Sequence, residues 1–134
     1  MTSRITGFFI DPATDTAEAR TVDNTLAAFY KLLDCSSLEM VERTVGARRR
    51  TARTFYVLCD EEGALVDDPK ISAINDLGDP MLVGPLFIVK GDDLTPEFTS
   101  LTVEELAFIR RHVHHLSTRN HPEGWQMLTC CGYV

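Results

Sequence analysis

The chain has 134 residues and a mass of 15.0 kDa, which is the size of a single domain. Thirteen basic and twenty acidic residues give a formal net charge of −7. This balance argues against general nucleic-acid binding, which needs a large positive surface. Because the sequence contains no stretch of about 18 apolar residues and no secretory leader pattern, we expect a cytoplasmic protein without a membrane span.

The N-terminal third predicts a strand, a loop and a helix. Residues 4–10 are mostly apolar and predict the first strand, and the small polar residues 12–20 predict a loop. Apolar residues at helical spacing then predict a helix over residues 24–33, with Thr21 or Asp23 as its cap.

The middle of the chain predicts a hairpin, a short helix and a buried strand. Residues 38–45 alternate charged and apolar side chains and are expected to pair antiparallel with residues 54–59. Residues 70–77 follow a proline and predict a short helix. Residues 81–89 are almost continuously apolar, so we predict a central strand covered on both faces.

The last predicted helix has the clearest start signal. Thr102 and Glu105 form the pattern of a capping box, and the apolar stripe behind them predicts a helix over residues 103–116. The order β-α-β-β-(α)-β-α predicts an α+β domain over residues 1–116, in which two main helices and one short helix pack on a four-stranded mixed sheet.

The C-terminal tail, residues 117–134, contains the only tryptophan, Trp125, and ends in WQMLTCCGYV. A disordered segment would not be this apolar. We expect the tail to pack on the domain or on a second subunit, with Trp125 buried at a self-association surface that gives a homo-oligomer.

The strongest candidate binding feature is a group of arginines between the two hairpin strands. Four guanidinium groups within six residues can bind phosphate or carboxylate oxygens. The alternative is a solvated loop whose arginines pair with Glu39, Glu42 and Asp60. The candidate residues are Arg48, Arg49, Arg50 and Arg53.

The cysteines and histidines do not predict a metal site or an enzyme. We expect Cys35 and Cys59 to be small buried apolar residues, and the adjacent pair Cys130-Cys131 lacks the spacing of a zinc chelate. His112 and His115 are three residues apart on the predicted helix, but no HExxH pattern accompanies them. The sequence also contains no nucleophile elbow, P-loop or GxGxxG motif, so we predict no catalytic residue, cofactor or metal.

Over residues 21–113 the chain resembles a family of small proteins that carries the domain of unknown function 3846. The motifs that carry the resemblance are structural rather than catalytic, and the triple arginine and the tail lie outside it. They are the break Cys35-Ser36-Ser37 after the first helix, the strand LEMVERTV, the turn Asp60-Glu61-Glu62-Gly63, the strand VGPLFIV and the helix start Ser100-Leu101-Thr102.

The resemblance implies an origin in bacteriophages, plasmids or integrated elements. It also implies that Asn75 is the counterpart of an asparagine that the family carries before the Gly-Pro strand, and we include Asn75 and Trp125 among the candidate binding residues. Small proteins of mobile elements commonly act on host machinery.

Three hypotheses for the function therefore stay open. The first is a non-enzymatic inhibitor that binds a host defence protein, such as a nuclease or a CRISPR-type effector. The second is a small-molecule binder, such as a sponge for a nucleotide signal, that uses the arginine loop on phosphates. The third is an enzyme without a recognisable motif.

Overall fold

The computed structural model describes residues 3–46, 53–62, 65, 68–75, 77–91 and 98–131. Ten strands and two helices lie in this part of the chain. In chain order they are β1 (Arg4–Asp11), β2 (Thr16–Asp23), α1 (Leu26–Leu33), β3 (Leu38–Val45), β4 (Arg53–Asp60), β5 (Ile71–Ile74), β6 (Pro80–Val83), β7 (Leu86–Gly91), β8 (Phe98–Thr99), α2 (Val103–Arg111), β9 (Val113–Leu116) and β10 (Trp125–Cys131).

The strands form one mixed sheet in the order β2-β1-β7-β4-β3-β10-β5-β6, with β8 added beside β7 and β9 beside β10. The pair β10–β5 is parallel and the other recorded pairs are antiparallel. The prediction of an α+β fold is confirmed, but the predicted four-stranded sheet and its element order are wrong. The described residues contain two helices, neither of which is long enough to cross a membrane.

Each helix covers one face of the sheet. In β7, Leu86 and Ile88 point to one face while Phe87 and Val89 point to the other, and all four side chains are fully buried. For residues 86–89 this confirms the prediction of a strand covered on both sides, whereas residues 81–83 are partly exposed. The α2 face carries Phe8, Ile10, Val57, Phe108 and Ile109, and the α1 face carries Ile5, Phe9, Phe29, Leu33 and Leu58.

The first helix starts two residues later than predicted. Thr25, not Thr21 or Asp23, is the N-cap, and its hydroxyl accepts a hydrogen bond from the Ala28 amide at 3.2 Å. Thr21 and Asp23 cannot cap this helix because they belong to β2. The helix ends at Leu33, and the C-cap residue Asp34 takes a left-handed conformation with φ of 50°.

Strand β2 replaces much of the loop predicted over residues 12–20. Its eight residues pair with β1 in continuous register, from Arg4↔Asp23 to Asp11↔Thr16. The strand lies at the edge of the sheet and most of its side chains are partly or fully exposed. Its apolar residues are Ala17, Ala19 and Val22, so its sequence lacks the large apolar side chains by which a half-buried strand is recognised.

The segment predicted as a short helix over residues 70–77 contains strand β5 instead. This strand pairs parallel with β10 and antiparallel with β6. The strand predicted over residues 81–89 is divided at Gly84, where φ is 76° and the amide donates to the Lys70 carbonyl at 3.0 Å. The chain therefore turns between β6 and β7. Glycine is suited to this position because it adopts a positive φ without steric cost.

The second helix begins as predicted and ends earlier. The capping box is confirmed, with Thr102 accepting from the Glu105 amide and Glu105 accepting from the Thr102 amide. The helix ends at Arg111, so the prediction of a helix to residue 116 is wrong. Residues 113–116 form β9, which pairs with the N-terminal half of β10, from Val113↔Leu128 to Leu116↔Trp125.

Candidate functional site

The β3–β4 hairpin separates charges of opposite sign. Its register places Leu38 opposite Asp60 at one end and Val45 opposite Arg53 at the other. Seven residue steps along a strand span about 23 Å, so the two ends are far apart. Glu39 lies near the end that carries Asp60, and the Arg53 guanidinium therefore cannot pair with either of these carboxylates.

At its other end the hairpin meets the last turn of α2. The guanidinium carbon of Arg53 lies 5.0 Å from the centre of the Phe108 ring, and that of Arg111 lies 5.9 Å from it. The centre of the His112 ring lies 4.6 Å from the centre of the Phe108 ring. His112 Nδ1 donates to the Phe108 carbonyl at 2.8 Å. We call the group Arg53, Phe108, Arg111 and His112 the cationic end.

An aromatic ring, rather than a carboxylate, positions the two guanidinium groups of the cationic end. Phe108 is only 5% exposed, whereas Arg53 and Arg111 are exposed. Within the described ranges, neither arginine has a carboxylate oxygen within 4 Å. Stacking on a ring leaves guanidinium N–H donors directed outward, and these groups bind anions rather than transfer protons because they stay charged.

The remaining predicted arginines, Arg48, Arg49 and Arg50, lie outside the described residues. They belong to the connection between β3 and β4, which ends at Arg53. Arg111 is not among the arginines that the sequence pattern predicted as binding residues. The available signal was the pair Arg110-Arg111 in the last turn of that helix, where positive charge is favoured by the helix dipole.

A family model described as "Domain of unknown function (DUF3846)" matches residues 5–114. The chain belongs to the DUF3846 family. The resemblance inferred from the sequence motifs is thereby confirmed, and all four residues of the cationic end lie in the matched segment. No curated protein and no solved structure matches this chain.

In this DUF3846 protein, Asn75 holds the turn between β5 and β6. Its side chain is 2% exposed, and its Oδ1 accepts from the amides of Leu77 and Asp79, both at 2.9 Å. The backbone amide of Asn75 donates to the Asp79 carbonyl at 2.9 Å. These contacts give Asn75 a structural role, and its place among the candidate binding residues stays a prediction.

Trp125 of the DUF3846 chain is enclosed by its own fold. The side chain is 2% exposed, and its Nε1 donates to the Ile71 carbonyl. His121 packs edge-on against the ring with centres 5.1 Å apart, and the Lys70 ammonium lies 5.5 Å from the ring centre. The structure therefore places Trp125 within the sheet, and self-association through it stays a prediction.

The thiols of Cys35 and Cys59 in the DUF3846 chain are not poised as nucleophiles. Cys59 is buried, as predicted, beside a cavity of about 240 Å³, and its thiol donates to the Glu39 carbonyl at 3.6 Å. Burial, together with the Glu39 charge, raises the pKa of Cys59 to about 11. Burial and the Asp60 charge also raise the pKa of Cys35, which is half-buried. Both groups are therefore protonated at neutral pH and poorly reactive.

The histidine pair considered for a metal does not share a helix face. His112 caps α2, while His115 lies in β9, where its Nε2 is 3.4 Å from Asp15. The spacing argument failed because the helix ends before residue 115. In the part of the chain that the structure describes, no three His, Cys, Asp or Glu side chains are grouped to hold a metal ion.

Proposed function

We propose that this DUF3846 protein is a non-enzymatic accessory protein of a phage or other mobile element. In this proposal it inhibits a host defence component, such as a nuclease or a CRISPR-type effector, by binding an acidic surface of that component. The observation that carries the proposal is the stacking of Arg53 and Arg111 over Phe108, which presents two exposed guanidinium groups at one end of an acidic chain.

The location of the two arginines favours a macromolecular partner over a small ligand. Arg53 and Arg111 line neither the cavity beside Cys59 nor the groove between β2 and α1. Small ligands are bound in concave sites that enclose most of their surface. Exposed arginines next to a buried aromatic ring are instead typical of protein interfaces, in which arginine is enriched.

Charge gives the proposed interaction its specificity. A protein with a net charge of −7 repels an acidic partner at long range, so the cationic end has to supply the local attraction. The triple arginine of the same connection adds to this charge. Because the guanidinium groups of Arg53 and Arg111 are exposed, their attraction for the partner is screened by salt over about 10 Å at 0.1 M ionic strength.

The experiment begins with the tagged full-length chain purified from its host. Native mass spectrometry identifies the retained partner, and calorimetry then measures its affinity for the wild type and two variants at low and high salt. The first variant combines Arg53→Ser with Arg111→Ser. The second combines Arg48→Ser, Arg49→Ser, Arg50→Ser and Arg53→Ser. We expect each variant to bind the partner about tenfold or more weakly than the wild type. Their free energies of unfolding should change by about 1 kcal/mol or less, since Arg53 and Arg111 are exposed and changes at exposed positions rarely cost more.

Arg119→Ser is the matched control, because Arg119 is exposed and has no recorded ion pair with a described residue. It should bind the partner like the wild type. In a host that carries the defence system, wild-type protein should restore phage plating and the arginine variants should not. Unchanged affinity of both arginine variants, or a small molecule as the sole retained species, would contradict the proposal.

A further inference from the structure

A second cationic feature lies on the α1 face and along the outer edge of β2. A groove of about 440 Å³ runs between this strand and α1. Three basic side chains line it, Arg4 from β1, Arg20 from β2 and Lys31 from α1, against the single carboxylate of Asp23. In a chain with a net charge of −7, this is a local excess of positive charge in a concave site.

The existing ion pairs of the groove leave its cations available. Arg4 Nε lies 3.8 Å from Asp23 Oδ1, and the two side chains are 64% and 60% exposed. Arg20 Nε lies 2.7 Å from Glu18 Oε2, and these side chains are 41% and 50% exposed. Such exposed pairs are weak and exchange readily with other anions. Lys31 is exposed and has no carboxylate within 4 Å among the residues that the structure describes.

Contacts other than ion pairs orient the two guanidinium groups. The guanidinium carbon of Arg20 lies 4.9 Å from the ring centre of Phe9, which is 5% exposed. Arg4 donates from Nη2 to the Thr21 carbonyl at 3.0 Å. A guanidinium held in this way retains further N–H donors, and its planar arrangement of donors matches the oxygens of a phosphate group.

The other wall of the groove is apolar. Ala28 and Leu32 of α1 lie on the same helix face as Lys31, because residues three and four apart are neighbours on a helix. Val22 of β2 completes this wall, and Ala28, Leu32 and Val22 are all partly exposed. The groove thus combines basic groups at one side with an apolar surface at the other, and its volume lies in the range of about 300–1,000 Å³ that is usual for small-molecule sites.

From this combination we infer that the β2–α1 groove binds a phosphorylated small molecule of about mononucleotide size. The phosphate contacts Arg4, Arg20 and Lys31, and the apolar part of the ligand lies on Val22 and Leu32. The site is distinct from the cationic end, because Phe9 belongs to the α1 face and Phe108 to the α2 face. Its occupation does not depend on the proposed inhibition of a host protein.

The test is a titration of the isotope-labelled full-length chain with three probes, ADP, adenosine and inorganic phosphate, followed by amide NMR. We expect ADP to bind and to shift the amide signals of Thr21, Val22 and Leu32. Adenosine should bind much more weakly because it lacks the phosphate. Inorganic phosphate should also bind more weakly than ADP, because it lacks an apolar part.

Lys31→Gln and Arg4→Gln should each weaken ADP binding about tenfold, since each removes a charged hydrogen-bond donor. Arg119→Gln is the control and should bind ADP like the wild type. Both groove residues are exposed, so the variants should keep the wild-type melting temperature, which is measured alongside.

Four results of the affinity measurements would each overturn the inference. These are no binding of ADP at millimolar concentration, equal affinities for ADP and adenosine, equal affinities for ADP and inorganic phosphate, or unchanged affinity in both groove variants. Shifts confined to Arg53, Arg111 and their neighbours would instead assign anion binding to the cationic end, and would also overturn it.

Discussion

Asn75 shows how one side chain can replace backbone hydrogen bonding in a turn. Its buried carbonyl oxygen accepts from two amides of the β5–β6 connection. We predict that Asn75→Ala lowers the free energy of unfolding by about 1–3 kcal/mol, because both amides lose their acceptor in a partly enclosed site. Urea denaturation of the full-length chain measures this loss.

Asp79→Ala is the matched control for Asn75→Ala. Asp79 lies in the same turn and its side chain is exposed, while its backbone makes the contacts with Asn75. This change should alter the free energy of unfolding by less than about 0.5 kcal/mol. Equal losses in the two variants would show that the Asn75 side chain does not stabilise the turn.

The cationic end shows what residue-level patterns could and could not predict. The density of arginines around the start of β4 made Arg53 a candidate, and the structure shows that Arg53 is exposed. The ring beneath it could not be predicted, because Phe108 fits the apolar stripe of α2 and is indeed buried in the core. Which exposed arginines meet at that ring depends on the packing of α2 against the hairpin, which is a tertiary contact.

At the scale of the element, the start of α2 is stabilised by a charge-dependent contact. Glu105 is largely buried, and its Oε1 accepts from the Thr102 amide at 2.8 Å and from Lys90 Nζ at 2.9 Å. Burial alone would raise the pKa of Glu105, but the hydrogen bonds from Thr102 and Lys90 outweigh burial and lower it. The folded state therefore favours the ionised carboxylate.

This lowered pKa predicts a pH-dependent effect of Glu105→Gln. Because the folded pKa lies below the unfolded one, the stabilisation by Glu105 is fully present above the unfolded pKa, near 4.5, and is lost as the pH falls through the folded pKa. At neutral pH the variant should lose about 1 kcal/mol in the free energy of unfolding. The loss should shrink toward zero in strong acid, where Glu105 is itself neutral.

Urea denaturation across this pH range measures the effect, with Glu104→Gln as the control. Glu104 lies in the same first turn of α2 but is exposed and has no recorded ion pair with a described residue. Glu104→Gln should lower the free energy of unfolding by less than Glu105→Gln does, and this loss should depend less on pH. A loss for Glu105→Gln that persists unchanged in acid would contradict the assigned role of the charge.

The elements that could be predicted from the sequence carry their own local signals. The capping box marks the start of α2, alternating charges mark β3, and apolar and β-branched runs mark β4 and β7. The elements that were missed are defined by distant partners. In β5, for example, Ala73 pairs with Leu128 of β10, more than fifty residues away along the chain, so no local window contains the signal.

At the scale of the whole molecule, the last strand joins parts of the sheet that precede it in the chain. Strand β10 pairs with β9 through its N-terminal half, with β5 at Leu128 and Thr129, and with β3 at Cys130 and Cys131. The family match ends at residue 114, before this strand begins. The matched segment of this chain is therefore completed by residues that lie outside it.

This position predicts that a chain ending at Leu116 does not fold cooperatively. Four side chains of β10 are buried in the full chain, Trp125, Met127, Leu128 and Cys130. Burial of each large apolar side chain contributes about 1.5–3 kcal/mol. Their sum is comparable with the total stability of about 5–15 kcal/mol that is usual for a domain. Circular dichroism during urea denaturation should show no cooperative transition.

A chain ending at Cys131 is the control, since it retains every strand and helix that the structure describes. It should unfold cooperatively at nearly the same urea concentration as the full-length protein. Sedimentation of both shortened chains distinguishes loss of folding from a change in oligomeric state. If the chain ending at Leu116 kept a cooperative transition and a stable monomer, β10 would be an accessory strand, and the residues matched by the family model would fold without it.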